Sequence, residues 1–232
     1  MATLVLIPGL LCNESLWRGQ IESLREDVHI IVSDVTRHDT IRDLAHDVLQ
    51  TAPGRFCLAG FSLGSQIALE ITCIARERIE RLALLSATTN RGLLPPVRAA
   101  VENAIAMIQQ GDFAKYVEQS YTSYVHPLRA EDAGLKRVFI EMAQAVGPDA
   151  GLRQMRALLS ITSAFTGLDQ IDCPTAIIGG RQDRRTTPEA HEELAREIRG
   201  SVLTVIEESG HFTPLERSQQ VTQAMYRWLR LN

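Results

Sequence analysis

Residues 55–71 read Arg55-Phe56-Cys57-Leu58-Ala59-Gly60-Phe61-Ser62-Leu63-Gly64-Ser65-Gln66-Ile67-Ala68-Leu69-Glu70-Ile71. The first part is a short apolar run, as a buried strand would be, and the last part is an apolar stretch that suits a helix. Between them Gly60-Phe61-Ser62-Leu63-Gly64 is a GxSxG pentapeptide in the strand–turn–helix setting that a nucleophile elbow requires. So sharp a turn forces the serine into a strained backbone conformation, and glycine on either side leaves room for the neighbouring strand and helix. The hydroxyl then projects above the sheet at the positive end of a helix dipole, which favours an oxyanion developing there. The pentapeptide alone arises by chance in about one chain in twenty of this length, so its weight comes from its context and its partners. Nucleotide loops fit poorly. GxGxxG needs glycine where Ser62 stands, and GxxxxGKS/T does not occur.

Outward from this unit, short apolar runs alternate with stretches of helical period. The expected strands are Thr3–Ile7, Val28–Val32, Phe56–Ala59, Arg81–Leu85, Thr175–Ile178 and Val202–Ile206. Most are apolar on both faces, as strands covered by helices on both sides are. Helical patterns fall at Glu14–Leu24, Ile41–Gln50, Leu63–Ala75, Pro188–Ile198 and Pro214–Leu229. The alternation predicts an α/β fold with a doubly wound, mainly parallel six-stranded sheet. Thr213-Pro214-Leu215-Glu216 reads as a capping box with proline at the first helical position, and Thr187-Pro188 repeats the cap-and-proline device.

The rhythm breaks between Gly92 and Leu168. Helical segments near Pro96–Gln109, Phe113–Tyr124, Asp132–Ala145 and Ala150–Thr162 predict a helical lid insertion over residues 92–168, with residues 1–91 and 169–232 forming the core. Most of its large side chains, among them Met107, Met142, Met155, Phe113, Tyr116, Tyr121, Phe139 and Phe165, are expected to form the lid's own core, and a minority to face a pocket.

A serine nucleophile needs a base within reach and a carboxylate to hold the base's tautomer. Of six histidines, His211 lies directly after the last strand, in Glu207-Glu208-Ser209-Gly210-His211-Phe212, at the same sheet edge as Ser62. His29 begins a strand, His46 and His191 fall within helices, and His38 reads as a solvated loop residue. His126 lies in the insertion, where it could line a pocket. For the acid, Asp183 follows the fifth strand, giving the chain order Ser62, Asp183, His211. Asp34, after the second strand, is its competitor and otherwise a turn residue. The oxyanion needs two donors. The Leu63 amide is one, and the other should come from the Pro8-Gly9-Leu10-Leu11 loop, with Leu10 first and Leu11 second. Gly9 is expected to make that loop's sharp turn.

With these residues the chain resembles the α/β-hydrolase superfamily, most of all its small, cofactor-free esterase-type members with a helical lid. The matching stretches are LVLIPGLLCNESLW, FCLAGFSLGSQIALEI, CPTAIIGGRQDRRTTP and ESGHFTPLERSQQV. The resemblance implies hydrolysis through an acyl-enzyme without metal or organic cofactor, with Ser62 as nucleophile, Asp183 as acid, His211 as base and the Leu10 and Leu63 amides as oxyanion hole. Three features depart from the pattern. Pro8 stands where a histidine is common, Ser65 where a glycine often follows GxSxG, and the leading antiparallel hairpin is missing. The expected strand order is 2-1-3-4-5-6. The bond cleaved stays open among ester, thioester, lactone, acyl transfer and carbon–carbon hydrolysis, and a non-catalytic ligand-binding role is the other class.

Composition narrows the partners. The 232 residues are 45% apolar and 22% charged with a net charge of −4, so no basic field calls for nucleic acid or an anionic membrane. The N-terminal apolar run has no preceding Lys or Arg and is interrupted by Pro8-Gly9, unlike a secretory signal. Cys12, Cys57, Cys73 and Cys173 show no metal-ligand spacing and read as reduced core thiols of a cytoplasmic protein. The expected partner is a small-molecule acyl substrate.

Overall fold

The computed structural model describes residues 1–89, 93–161 and 167–230. Its sheet is built around β3 (Phe56–Phe61), buried at all six positions. The other strands are β1 (Thr3–Ile7), β2 (His29–Val32), β4 (Ile79–Leu85), β5 (Thr175–Gly180) and β6 (Val202–Ile206). Every pairing is parallel and the order is β2-β1-β3-β4-β5-β6, as expected from the sequence. Only the edge strands β2 and β6 are largely short of full burial. β3 and β5 each run two residues further than their apolar runs suggest, through Gly60-Phe61 and Gly179-Gly180. Glycine reads as a strand end, but here Gly60 and Gly180 let another backbone lie against the strand, and Gly179 lets the His191 ring do so.

Helices α1 (Arg18–Leu24) and α9 (Ser218–Arg230) pack together, as do α2 (Ile41–Thr51) and α3 (Leu63–Ala75). The order reverses at β1, so right-handed crossovers put the β1-to-β2 and β3-to-β4 helices on opposite faces. Between β4 and β5 come α4 (Pro95–Gln109), α5 (Phe113–Tyr124) and α6 (Ala133–Leu159). The two last expected helices of this stretch are joined into α6 across a break at Gly147 (φ 79°, ψ 167°), which precedes Pro148. Met142, Met155, Tyr121 and Phe139 are buried there, whereas Met107, Phe113 and Tyr116 are partly so. Phe165 and the helix end expected at Thr162 lie outside the described residues. None of the described helices is long and apolar enough to cross a membrane. Cys12 and Cys57 are buried, but Cys73 is exposed on α3, a correction to its reading as a core thiol.

Two helix starts also differ from expectation. Residues 14–24 begin as a 3-10 turn over Glu14–Trp17, capped by the Asn13 side chain accepting from the Ser15 amide. The final helical pattern is split into α8 (Thr213–Glu216) and α9, and the capping box is not formed. Phe212 takes the cap position, Thr213 Oγ1 is buried without a partner among the described residues, and Glu216 turns to other amides. Thr187 does cap α7 (Pro188–Glu197), by position alone, since its side chain makes no cap bond.

His191 of α7 is fully buried against Gly179 of β5, where even a Cβ would collide with the imidazole. Neither ring nitrogen has a hydrogen-bond partner among the described residues. Burial pushes its pKa down from 6.5 to about 4, despite the opposing pull of Asp183. Unfolding at acid pH therefore takes up a proton. Stability is undiminished above the unfolded value and falls as pH drops through it towards 4, with a loss of about 2 kcal/mol at pH 5. Urea titrations at pH 7.5 and 5.0 should show this loss, and His191→Leu should remove that share of it.

Candidate active site

In an open parallel sheet the crevice for a ligand lies at the carboxyl ends of the strands, where the order reverses. Here that point is β1 beside β3, with Ile7 in register with Gly60. Ser62 follows β3 with φ 52° and ψ −111° and opens α3. A non-glycine residue held there stores about 1–3 kcal/mol of strain and needs its surroundings to hold it. The Ser62 amide donates to Leu85 O at 2.9 Å, and the Ser62 carbonyl accepts from the amides of Ser65 and Gln66. Ser65, one of the three departures, also donates its hydroxyl to that carbonyl. A Cβ at Gly64 would collide with the carbonyls of Ile7 and Pro8, and one at Gly60 with Gly64 itself. The glycines thus let the end of β1 and the start of α3 touch backbone to backbone.

Ser62 Oγ lies 2.9 Å from His211 Nε2, and His211 Nδ1 lies 2.8 Å from Asp183 Oδ2. His211 is 2% exposed and Asp183 3%. Asp183 Oδ1 accepts from the amides of Arg185 (2.8 Å) and Thr186 (2.9 Å), which fixes the carboxylate's orientation. Burial raises the Asp183 pKa, but the facing imidazole and the two amides outweigh it, and the net shift is downward. An ionised Asp183 holds the proton on Nδ1 and leaves the Nε2 lone pair for the Ser62 hydroxyl. Three loops after three strands thus bring the three expected side chains into one hydrogen-bonded row. A Cβ at Gly180 would collide with the carbonyls of Ser209 and Gly210, so that glycine lets the Asp183 and His211 loops meet.

Two residues in this row were not singled out by sequence. Thr186 Oγ1 lies 3.0 Å from His211 Nδ1 and donates to Ser86 O at 3.2 Å, so toward the imidazole it presents a lone pair. Ser86, after β4, has φ 47° and donates its hydroxyl to the His211 carbonyl at 2.9 Å. The Asp183-x-x-Thr186 spacing was a readable turn signal; nothing around Ser86 marked it. Asp34, the competing acid, instead accepts from Thr36 and Arg37 in its own turn and is half-exposed. His126 Nδ1 accepts from the Leu128 amide.

The loop after β1 differs from expectation in detail. The positive φ falls on Leu11 (56°), not Gly9. Gly9 is needed for space, since a Cβ there would lie 2.7 Å from the Phe61 ring. The Leu11 amide donates to Gln154 Oε1 at 2.9 Å, and Gln154 Nε2 donates to Val35 O at 3.2 Å. Leu11, the second-choice donor, is therefore engaged. The amides of Leu10 and Leu63 meet no acceptor among the described residues. Gln154, fully buried on α6, thus sets this loop, and no local pattern in the sequence pointed to it. Among the described residues no three His, Cys, Asp or Glu side chains are gathered as a metal ion would need.

Residues 4–224 match the Alpha/beta hydrolase family. The (E)-2-((N-methylformamido)methylene)succinate hydrolase of Acinetobacter baylyi is 25% identical over 97% of this chain and 89% of that protein. The pimeloyl-[acyl-carrier protein] methyl ester esterase of Nitrosomonas europaea is 23% identical over 90% and 88%. Among solved structures, the enol-lactonase from Burkholderia xenovorans LB400 superposes with a TM-score of 0.87 at 20% identity, over 99% of this chain and 92% of that one.

Proposed function

The chain belongs to the alpha/beta hydrolase family, and from that premise we propose that it is a serine hydrolase of small or medium, largely apolar acyl esters. The observation that carries this reading is the unbroken row Asp183–His211–Ser62, with the serine on a strained elbow at the crevice. In the first step neutral His211 takes the Ser62 proton as the hydroxyl attacks the acyl carbonyl carbon. The Leu10 and Leu63 amides hold the oxyanion, and protonated His211 gives its proton to the departing alcohol. Water then attacks the acyl-enzyme by the same route, releasing the acid and regenerating Ser62. Residues 92–168 act as the lid over this site. Support comes from Tyr124 and Gln154, which bond to the His211 and Leu11 loops from that segment. A cytoplasmic setting belongs to the same reading and suits cysteines that form no disulfide among the described residues.

The test is a panel of p-nitrophenyl esters, thioesters, lactones and diketones on the purified protein, together with a fluorophosphonate probe. Short and medium esters should be turned over faster than the other classes. A protein that turns over no ester of the panel, or that takes up no probe, overturns the proposal.

A further inference from the structure

Glu216 is a buried carboxylate with no part in the chemistry above. It is 4% exposed, and burial raises its pKa against the pull of the two amides it binds. Oε1 accepts from the Gly210 amide at 2.9 Å and Oε2 from the His126 amide at 2.7 Å. Gly210 immediately precedes His211. His126 stands two residues after Tyr124, whose carbonyl accepts from the amides of His211 (2.7 Å) and Phe212 (3.1 Å). The two stretches are in backbone contact, since a Cβ at Gly210 would lie 2.6 Å from His126 N. The Tyr124 ring also packs 5.6 Å from the imidazole and 5.0 Å from Phe212.

We propose that Glu216 is a positioning residue that locks the His211 loop onto residues 124–126 and so keeps Nε2 in register with Ser62. The inference rests on the serine-hydrolase reading. Both groups facing the carboxylate are N–H donors, so both of its oxygens must accept, which an ionised carboxylate does. Glutamine has nearly the same shape but only one acceptor, and its NH₂ would be turned onto the second N–H. One buried donor is then left unpaired and the two stretches are free to part. A displacement of the base by about 1 Å is enough to lower turnover about a hundredfold while leaving substrate contacts in place.

The experiment compares Glu216→Gln with wild type for kcat, KM and phosphonylation rate, using the best ester of the panel. The lock predicts that kcat and the phosphonylation rate fall together by about 10- to 100-fold, while KM changes little. A folded variant with unchanged kcat overturns it, as does a loss confined to KM. A second measurement, amide hydrogen exchange on the wild-type protein, does not depend on the variant folding. Gly210 and His126 should open together at one common free energy, and distinct values overturn the lock. Retained turnover in Glu216→Gln alongside silence in Ser62→Ala would defeat the lock alone. An inert wild type that takes up no probe would defeat the function instead, and the exchange data would still decide whether the two stretches are joined.

Discussion

Ser62→Ala should abolish turnover, lowering kcat by at least about 10⁴-fold, and should leave no fluorophosphonate label on the chain. Oγ is the only heavy atom the substitution removes, and it stands at the end of the row that runs through His211 to Asp183. On the proposed mechanism what remains, the Leu10 and Leu63 amides and an intact His211, should still bind a substrate and polarise its carbonyl, so KM should move less than kcat. Stability should change by no more than about 0.5 kcal/mol. The strain at φ 52° belongs to the backbone and Cβ, both of which alanine keeps. The Ser62 amide bond to Leu85 O also survives the change. The variant is therefore a clean blank. Equal labelling of variant and wild type would show that the probe reacts elsewhere, and the nucleophile would have to be sought among other hydroxyls.

The parts of this architecture legible in sequence are those that a local pattern specifies. Thr3–Ile7 and Val202–Ile206 are mainly apolar runs, and α3 starts where the pentapeptide places it, so these elements are readable from local pattern, whereas the strand order follows from the family resemblance. The candidate side chains were readable for a related reason. In a parallel sheet the chain leaves every strand at the same edge, so Ser62, Asp183 and His211 had to emerge on one rim. What escaped were side chains that act at a distance along the chain. Gln154 meets Leu11 across 143 residues, and Ser86 meets His211 across 125. Glu216 misled for the opposite reason. Its spacing from Thr213 matches a capping box, but the carboxylate finds two buried amides elsewhere, and tertiary demand overrides the local motif. Gly9 reads as a turn residue because glycine permits a positive φ, but its place in the fold makes room for Phe61.

Asp183→Asn should be nearly as damaging as loss of the nucleophile, with kcat down by about 10⁴-fold while the fold is kept. The environment decides which way the new amide must face. The amides of Arg185 and Thr186 both donate to Oδ1, so the asparagine carbonyl oxygen is held there and its NH₂ points at His211 Nδ1. Two donors cannot share that contact. The imidazole must then offer a lone pair at Nδ1 and carry its proton on Nε2, against the Ser62 hydroxyl it is meant to deprotonate. Thr186 cannot rescue the tautomer, because its hydroxyl hydrogen is committed to Ser86 O and it offers His211 only an acceptor. The variant also lacks the negative charge that would stabilise an imidazolium during attack. Asp34→Asn is the matched control, since it alters a carboxylate that accepts from Thr36 and Arg37 in its own turn and should leave kcat within about twofold of wild type. Measuring both variants with one ester from pH 6 to 9 decides the matter. A loss of less than tenfold in Asp183→Asn, or an equal loss in Asp34→Asn, would mean that the carboxylate beside the imidazole does not set its tautomer.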